Sequence, residues 1–305
     1  MRTGIDLGGT KIEVAVLGED DRTIVRERVL TPRHDYHAIC DTIANLVLDA
    51  ERALGRRGTV GVAIPGAASP SSGLVKNANT VCLIGNPLEA DLSRRLARPV
   101  RLENDANCFV VSEAADGAAA GAHSVFGVII GTGCGGGLYL NGAPIRGANG
   151  IAGEWGHNPV PWPRSGRPPR PCYCGRTDCI EGYLSGPGLT FTYNELGPAQ
   201  RATVQAIADA AAQGEAQAQR ALDMHREQLA VALGTIINVF DPEVIVLGGG
   251  LSNLPGIAAD VSRRLPPYVF GPEFESRVVT AVHGDSSGVR GAAWLWSKAE
   301  AADFR

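Results

Sequence analysis

The chain has 305 residues, a length suited to about two domains. Hydrophobic residues make up 44% and charged residues 20%, which excludes extended disorder and leaves enough apolar side chain for a sizeable core. With 28 Lys and Arg against 32 Asp and Glu, the net charge of −4 argues against general nucleic-acid binding and leaves room for one local anion site.

No apolar run approaches the roughly 20 residues of a membrane span, and no apolar leader opens the chain, so a cytoplasmic location is expected. Residues 3–17 predict strand, tight glycine turn, strand: a β-hairpin. Ile39, Ile43, Leu46, Val47, Ala50 and Leu54 recur at helical spacing, with Gly55 as the stop. Residues 59–64 and 100–102 read as strands, the second leading into a helix over about 106–120. The pattern then restarts: 125–130 is a strand, 131–133 a Gly-Thr-Gly turn, and 138–140 a second strand. Two such hairpins suggest a duplicated domain. Residues 158–171 are Pro-rich and read as an extended surface loop. Helical signals fill 203–240, a buried-type strand follows at 244–247, and 287–298 is helical again.

Alternating strands and helices predict an α/β fold with mixed sheets in two lobes. The first lobe is expected at 1–118, completed by the C-terminal helix 287–305, and the second at 119–286. A small ligand is expected between two such halves.

Glycine is the compositional outlier: 39 in 305 is about 13%, against a usual value of about 7%. The excess sits in clusters that follow β-like runs. In Asp6-Leu7-Gly8-Gly9-Thr10-Lys11, backbone amides freed of a Cβ can face an anion, and Asp6 could hold a hydrated Mg²⁺. Gly131 to Gly137 repeats the Gly-Thr turn, and the pair could grip a phosphate chain. Gly248 to Gly250, after a buried strand, would let a purine or ribose lie on the backbone, or would serve close helix–strand packing. Asp105, in Asn104-Asp105-Ala106-Asn107, is either part of a helix cap or a general base toward a substrate hydroxyl. Glu154 could accept hydrogen bonds from sugar hydroxyls. His157, Cys172, Cys174 and Cys179 have the spacing H-x14-C-x-C-x4-C, a closed set of four zinc ligands that would staple the long loop and hold Glu181 near the cleft. Cys40, Cys82, Cys108 and Cys134 read as thiols in a reducing compartment.

These motifs, DLGGTK (6–11), ENDAN (103–107), GTGCGGG (131–137), GEWGH (153–157), CYCGRTDCIE (172–181) and LGGG (247–250), together resemble the ROK family of repressors, uncharacterised reading frames and sugar kinases. The likeness runs from Gly4 to Trp296. It implies the two-lobed, actin-like (hexokinase-like) ATPase fold and a homodimer. It implies Asp105 as the base, with Gly66, Asn79, Asn104, Glu154, His157 and Glu181 around the sugar. Gly9, Thr10, Lys11, Thr132 and Gly133 become phosphate contacts, and Gly249 and Gly250 part of the adenosine site. His157, Cys172, Cys174 and Cys179 match the zinc ligands. His157 is expected to bind zinc through one ring nitrogen and a sugar hydroxyl through the other. One departure is visible: Asp178 stands where the family's C-G-x-x-G-C loop has its second Gly. If that position needs φ > 0, Asp tolerates it better than most residues.

Residues 77–80, 85–88, 153–162 and 283–296 are most similar to bacterial fructokinases and mannokinases, with N-acetylglucosamine kinases sharing most of these blocks. The expectation is an ATP- and Mg²⁺-dependent hexose 6-kinase acting on D-fructose. N-acetylglucosamine, mannose or glucose is the alternative. A sugar-sensing repressor without turnover is disfavoured, because the phosphate motif opens at residue 6.

Overall fold

Strand β1 (Arg2–Leu7) turns through Gly8 and Gly9 into β2 (Lys11–Leu17), antiparallel, with Asp6 opposite Glu13. A third strand, β3 (Thr23–Leu30), pairs antiparallel with β2 at the sheet edge. Its Arg26 and Arg28 both reach the buried carboxylate of Glu13. Such charges discourage pairing with another chain's edge. Helix α1 (Tyr36–Leu54) is capped by the Asp35 side chain on the Ala38 amide and stops at Gly55, φ +65. Its buried face carries Ile39, Ile43, Leu46 and Val47. β4 (Thr59–Ile64) lies parallel to β1, followed by the short hairpin β5 (Ala67–Ala68) and β6 (Val75–Lys76). Helix α2 (Leu88–Leu96) then leads to β7 (Val100–Asn104), parallel to β4, and to α3 (Asp105–Asp116). The sheet order is β3-β2-β1-β4-β7.

The second hairpin is β8 (Ser124–Ile130) with β9 (Cys134–Leu140), followed by the two-residue strand β10 (Ala143–Pro144). Helices α4 (Glu181–Leu184), α5 (Gly186–Leu196), α6 (Val204–Ala212) and α7 (Ala216–Phe240) come next. The helical stretch expected over 203–240 is thus two helices, broken at Gly214, φ +90. β11 (Val244–Gly248), α8 (Ile257–Arg264) and β12 (Arg277–Thr280) follow, and the second five-stranded sheet has the order β10-β9-β8-β11-β12. Its core packs Leu229, Leu233 and Ile237 of α7 with Phe126, Val128 and Ile245.

The computed structural model describes residues 1–163, 166, 168–271 and 273–304. Residues 164, 165 and 167 of the Pro-rich stretch, and residue 305 of the tail, lie outside them. The described chain separates into two units: Met1–Gly117 with Ala143–Ala152 and Asp285–Arg305, and Ala118–Gly142 with Gly153–Gly284. Helices α9 (Ser287–Trp294) and α10 (Lys298–Asp303) therefore sit in the first unit. Two glycines let α9 come close to its neighbours. A Cβ on Gly61 would stand 1.9 Å from the Ala292 carbonyl, and one on Gly291 1.7 Å from the Cys108 carbonyl of α3.

The segment 143–152, assigned by sequence to the second lobe, belongs to the first unit. Its polar anchors are there: Arg146 Nε donates to Glu103 Oε2 at 2.5 Å, and Lys76 donates to the Asn149 carbonyl.

Candidate active site

In the first unit, the chemistry-bearing residues collect at the ends of β1 and β7. Asp6 is the penultimate residue of β1. Burial, together with the nearby Asp105 carboxylate, pushes its carboxyl up to about 7. The glycine turn beside it is held from outside the hairpin. Thr31 donates twice: its amide to Thr10 O (3.0 Å) and its hydroxyl to Gly8 O (2.8 Å). Gly9, Thr10 and Lys11 themselves are exposed. Thr80, which the sequence reading did not select, has a buried hydroxyl with no hydrogen-bond partner among the described residues. It stands 3.9 Å from where a Cβ on Gly9 would lie. Asn79 precedes it and is tied to the chain by its amide on Pro65 O, 3.2 Å.

The helix cap and the site share residues at 104–107. Asn104 is the N-cap of α3: its Oδ1 accepts from the amides of Ala106 (2.9 Å) and Asn107 (3.2 Å). Its Nδ2 donates to the Gly66 carbonyl at 3.0 Å. The amide expected to serve a sugar is thus largely spent on fixing the turn, with one N–H of Nδ2 left. Asp105 Oδ1 also meets the Ala106 amide, at 2.8 Å. Beneath them lies Glu103, buried, which accepts from the Asn104 amide (2.9 Å), Asn107 Nδ2 (3.0 Å) and Arg146 Nε (2.5 Å). Glu103 and Arg146 were not picked out from sequence. Charge pairing across 43 residues leaves no local pattern.

In the second unit, GEWGH folds directly onto β9. A Cβ on Gly153 (φ +93) would stand 2.1 Å from Gly136 O, and one on Gly156 1.8 Å from Cys134 O. Trp155 fills the space above the glycines of β9, with Nε1 donating to Gly135 O at 2.9 Å and its ring edge-on to Phe126. Glu154 is exposed. Glu181, on the first turn of α4, accepts the Cys134 amide on Oε2 at 2.9 Å. It therefore braces the 131–134 turn, a contact absent from the sequence reading. A Cβ on Gly133 would lie 2.8 Å from the same oxygen and would push the Glu181 carboxylate aside. Thr132 is exposed on that turn. Gly249 (φ +81) backs onto Ile130 O, while Gly250 faces open space.

The donor atoms of His157, Cys172, Cys174 and Cys179 all lie within 4.8 Å of one another. Cys172 Sγ is 3.6 Å from His157 Nδ1, and Cys174 Sγ is 3.6 Å from Cys179 Sγ. A zinc tetrahedron with Zn–S near 2.3 Å has edges of about 3.8 Å, so the donor set fits that ion. Hydrogen bonding from the Arg176 backbone draws the Cys174 thiol down to about 6, while burial pushes the neighbouring Cys179 thiol up to about 12. Asp178 has φ +53, the left-handed backbone the departure from Gly pointed to. His157 Nε2, the other ring nitrogen, lies 3.0 Å from the Tyr173 hydroxyl, because the residue between the first two cysteines folds back over the ring.

A model of the ROK family matches residues 2–299. The chain belongs to the ROK family. Among its relatives is the N-acetyl-D-glucosamine kinase of Escherichia coli O1:K1, 42% identical over 97% of this chain and 99% of that protein. The ROK hexokinase of Thermus thermophilus superposes with a TM-score of 0.85, at 31% identity and 99% coverage of both chains. A ROK glucokinase from Streptomyces griseus, solved with glucose and AMPPNP, gives 0.76 at 27% identity, covering 96% of this chain and 98% of that one. The chain is accordingly an ATP-dependent ROK sugar kinase with the actin-like ATPase fold.

Proposed function

We propose that this ROK protein phosphorylates N-acetyl-D-glucosamine at its 6-hydroxyl, using ATP. The observation that carries the reading is the 42% identity, over nearly the whole of both chains, to an N-acetyl-D-glucosamine kinase. That relationship replaces fructose, the substrate expected from the sequence blocks, which finds no support among the relatives described. The glucose and AMPPNP held by the Streptomyces glucokinase support a hexose and a nucleotide as the two substrates.

In this reading, Asp105 takes the proton from the 6-hydroxyl as that oxygen attacks the γ-phosphorus in line. Its carboxylate is aimed by the Asn104 cap and the Glu103–Arg146 pair. Asn104, Gly66, Asn79, Glu154, His157 and Glu181 bind the sugar. Gly9, Thr10, Lys11, Thr132 and Gly133 hold the phosphates, and Gly249 and Gly250 border the adenosine. A bound Mg²⁺ would neutralise developing charge on the phosphate oxygens, with Asp6 holding its hydration shell. Burial and the Asp105 charge disfavour the Asp6 anion, and a cation beside it would favour that form. Zinc on His157, Cys172, Cys174 and Cys179 would fix the loop as a structural ion. The active form is a homodimer, and dependence on ATP suits the cytoplasm.

The test is ADP release with Mg²⁺-ATP over N-acetylglucosamine, N-acetylmannosamine, glucose, mannose and fructose. The highest kcat/KM is expected for N-acetylglucosamine. A dominant fructose rate would overturn the substrate assignment and leave the kinase class standing.

A further inference from the structure

The metal loop is closed at its base by groups that are not metal ligands. Arg170 and Asp178 face each other at its two ends. The Asp178 amide donates to Arg170 O at 2.8 Å, and the Arg170 amide donates to Asp178 Oδ1 at 2.9 Å. The same Oδ1 accepts the Tyr183 hydroxyl at 2.7 Å. Tyr183 stands on α4, two residues beyond Glu181. The Arg170 guanidinium lies over the Tyr183 ring, 4.1 Å from its centre, and donates to Gly182 O at 2.8 Å. Arg170 and Asp178 are 8% and 5% exposed, so these hydrogen bonds are shielded from water. The far end of α4 is held too, by His225 Nε2 on Leu184 O at 2.9 Å.

Asp178 therefore does more than tolerate a left-handed backbone. We infer that it is a positioning residue: through Tyr183 it holds α4, and with it the Glu181 carboxylate on the Cys134 amide, whether or not the metal is bound. The inference rests on the reading of Glu181 and the 131–134 turn as parts of the sugar and phosphate sites. The division of labour is spatial. A metal on the four donors orders the tip of the loop, residues 172–177. The Asp178 carboxylate fastens the base to the helix that carries Glu181. Removing the metal releases the tip and leaves Glu181 in place.

Three variants separate side chain from backbone. Asp178→Gly relaxes a φ of +53, so any loss it causes belongs to the carboxylate. Asp178→Asn keeps an acceptor oxygen and tolerates the same backbone, so it should rescue. Tyr183→Phe removes one hydrogen bond and keeps the packing, which serves if the glycine variant fails to fold.

Two readouts are needed. The first is hydrogen exchange, by mass spectrometry, of the 172–177 and 180–186 segments in zinc-loaded and chelator-stripped protein. The second is the KM for N-acetylglucosamine against kcat.

Stripped wild type should exchange faster only at 172–177. Asp178→Gly should raise exchange at 180–186 by roughly 5- to 100-fold, the range for two ordinary hydrogen bonds lost, and raise KM more than kcat falls. Tyr183→Phe should move both in the same direction by about 2- to 10-fold. Asn should restore both readouts.

If stripping alone opens 180–186 in wild type as far as Asp178→Gly does, the metal holds α4 and the inference falls. It falls equally if Asp178→Gly leaves that segment protected. Absence of turnover with every hexose would instead overturn the functional reading, since the exchange arms do not depend on a substrate.

Discussion

Replacing Asp6 by Asn should stabilise the ligand-free protein at alkaline pH and leave it unchanged in acid. In the folded chain the Asp6 carboxyl keeps its proton to about pH 7, because burial and the Asp105 charge disfavour the anion. In the unfolded chain it is lost near 3.8. Between these values the native state binds more protons than the unfolded one, so stability falls as pH rises from about 4 to about 7 and is level above. About three pH units at about 1.4 kcal/mol each cap the cost near 4 kcal/mol. The first turn of α9 offsets part of it. A Cβ on Gly288 would lie 3.0 Å from Asp6 Oδ2, so the helix N-terminus faces the carboxylate and favours its charge by about 1–2 kcal/mol. Asp6→Asn should therefore gain about 2–3 kcal/mol at pH 8, and less than about 1 kcal/mol at pH 4.5. The assay is urea unfolding at both pH values, without Mg²⁺ or nucleotide. The same variant should lose most turnover, since the carboxylate proposed to hold hydrated Mg²⁺ is gone. Equal stability of variant and wild type at pH 8 would refute the reasoning.

Other consequences can be checked separately. Glu51 and Arg98 form a buried pair at 2.6 Å, and Glu51 also accepts the Gly58 amide at 2.9 Å. Glu51→Ala should cost about 3–5 kcal/mol in urea unfolding, because a buried guanidinium loses its counter-charge. Gly291→Ala would place a methyl 1.7 Å from Cys108 O, where only backbone could yield, and should cost at least about 3 kcal/mol or abolish soluble expression. Gly250→Ala meets nothing within 4 Å, so the melting temperature should hold, while the KM for ATP rises roughly tenfold if the nucleotide lies on that backbone. Metal analysis should find one zinc per chain in wild type and little in Cys174→Ser, whose hydroxyl is a poor zinc ligand.

How much could be read from sequence depended on how local the cause was. The β1–β2 and β8–β9 hairpins, α1 and β4 are written in apolar periodicity and glycine punctuation, and they lie where the pattern placed them, except that β9 begins at Cys134, four residues before the strand expected at 138–140. β3 was missed because it is an exposed edge strand of alternating charge, with Glu13 on the neighbouring strand as its partner. Helix α2 was missed although Leu88, Leu92 and Leu96 are spaced four apart, because Pro87 supplies no capping side chain. The metal ligands were legible as a cluster in sequence and are one in space. The residues that aim the site were not. Arg146 reaches Glu103 from another segment, Tyr173 folds over His157, and Glu181 braces the Cys134 amide. Each is a tertiary contact with no periodic trace. Asp178 was visible as an exception, and only its buried hydrogen bonds show what the exception supplies.

The central claim is that Asp105 activates the 6-hydroxyl of N-acetylglucosamine for attack on ATP. Its most direct test is the kcat of Asp105→Asn with saturating Mg²⁺-ATP and N-acetylglucosamine, alongside the dissociation constant for the sugar. The account predicts that kcat falls at least about 100-fold, the lower range for a lost general base, while sugar affinity changes by only a few-fold. Turnover at the wild-type rate would contradict it.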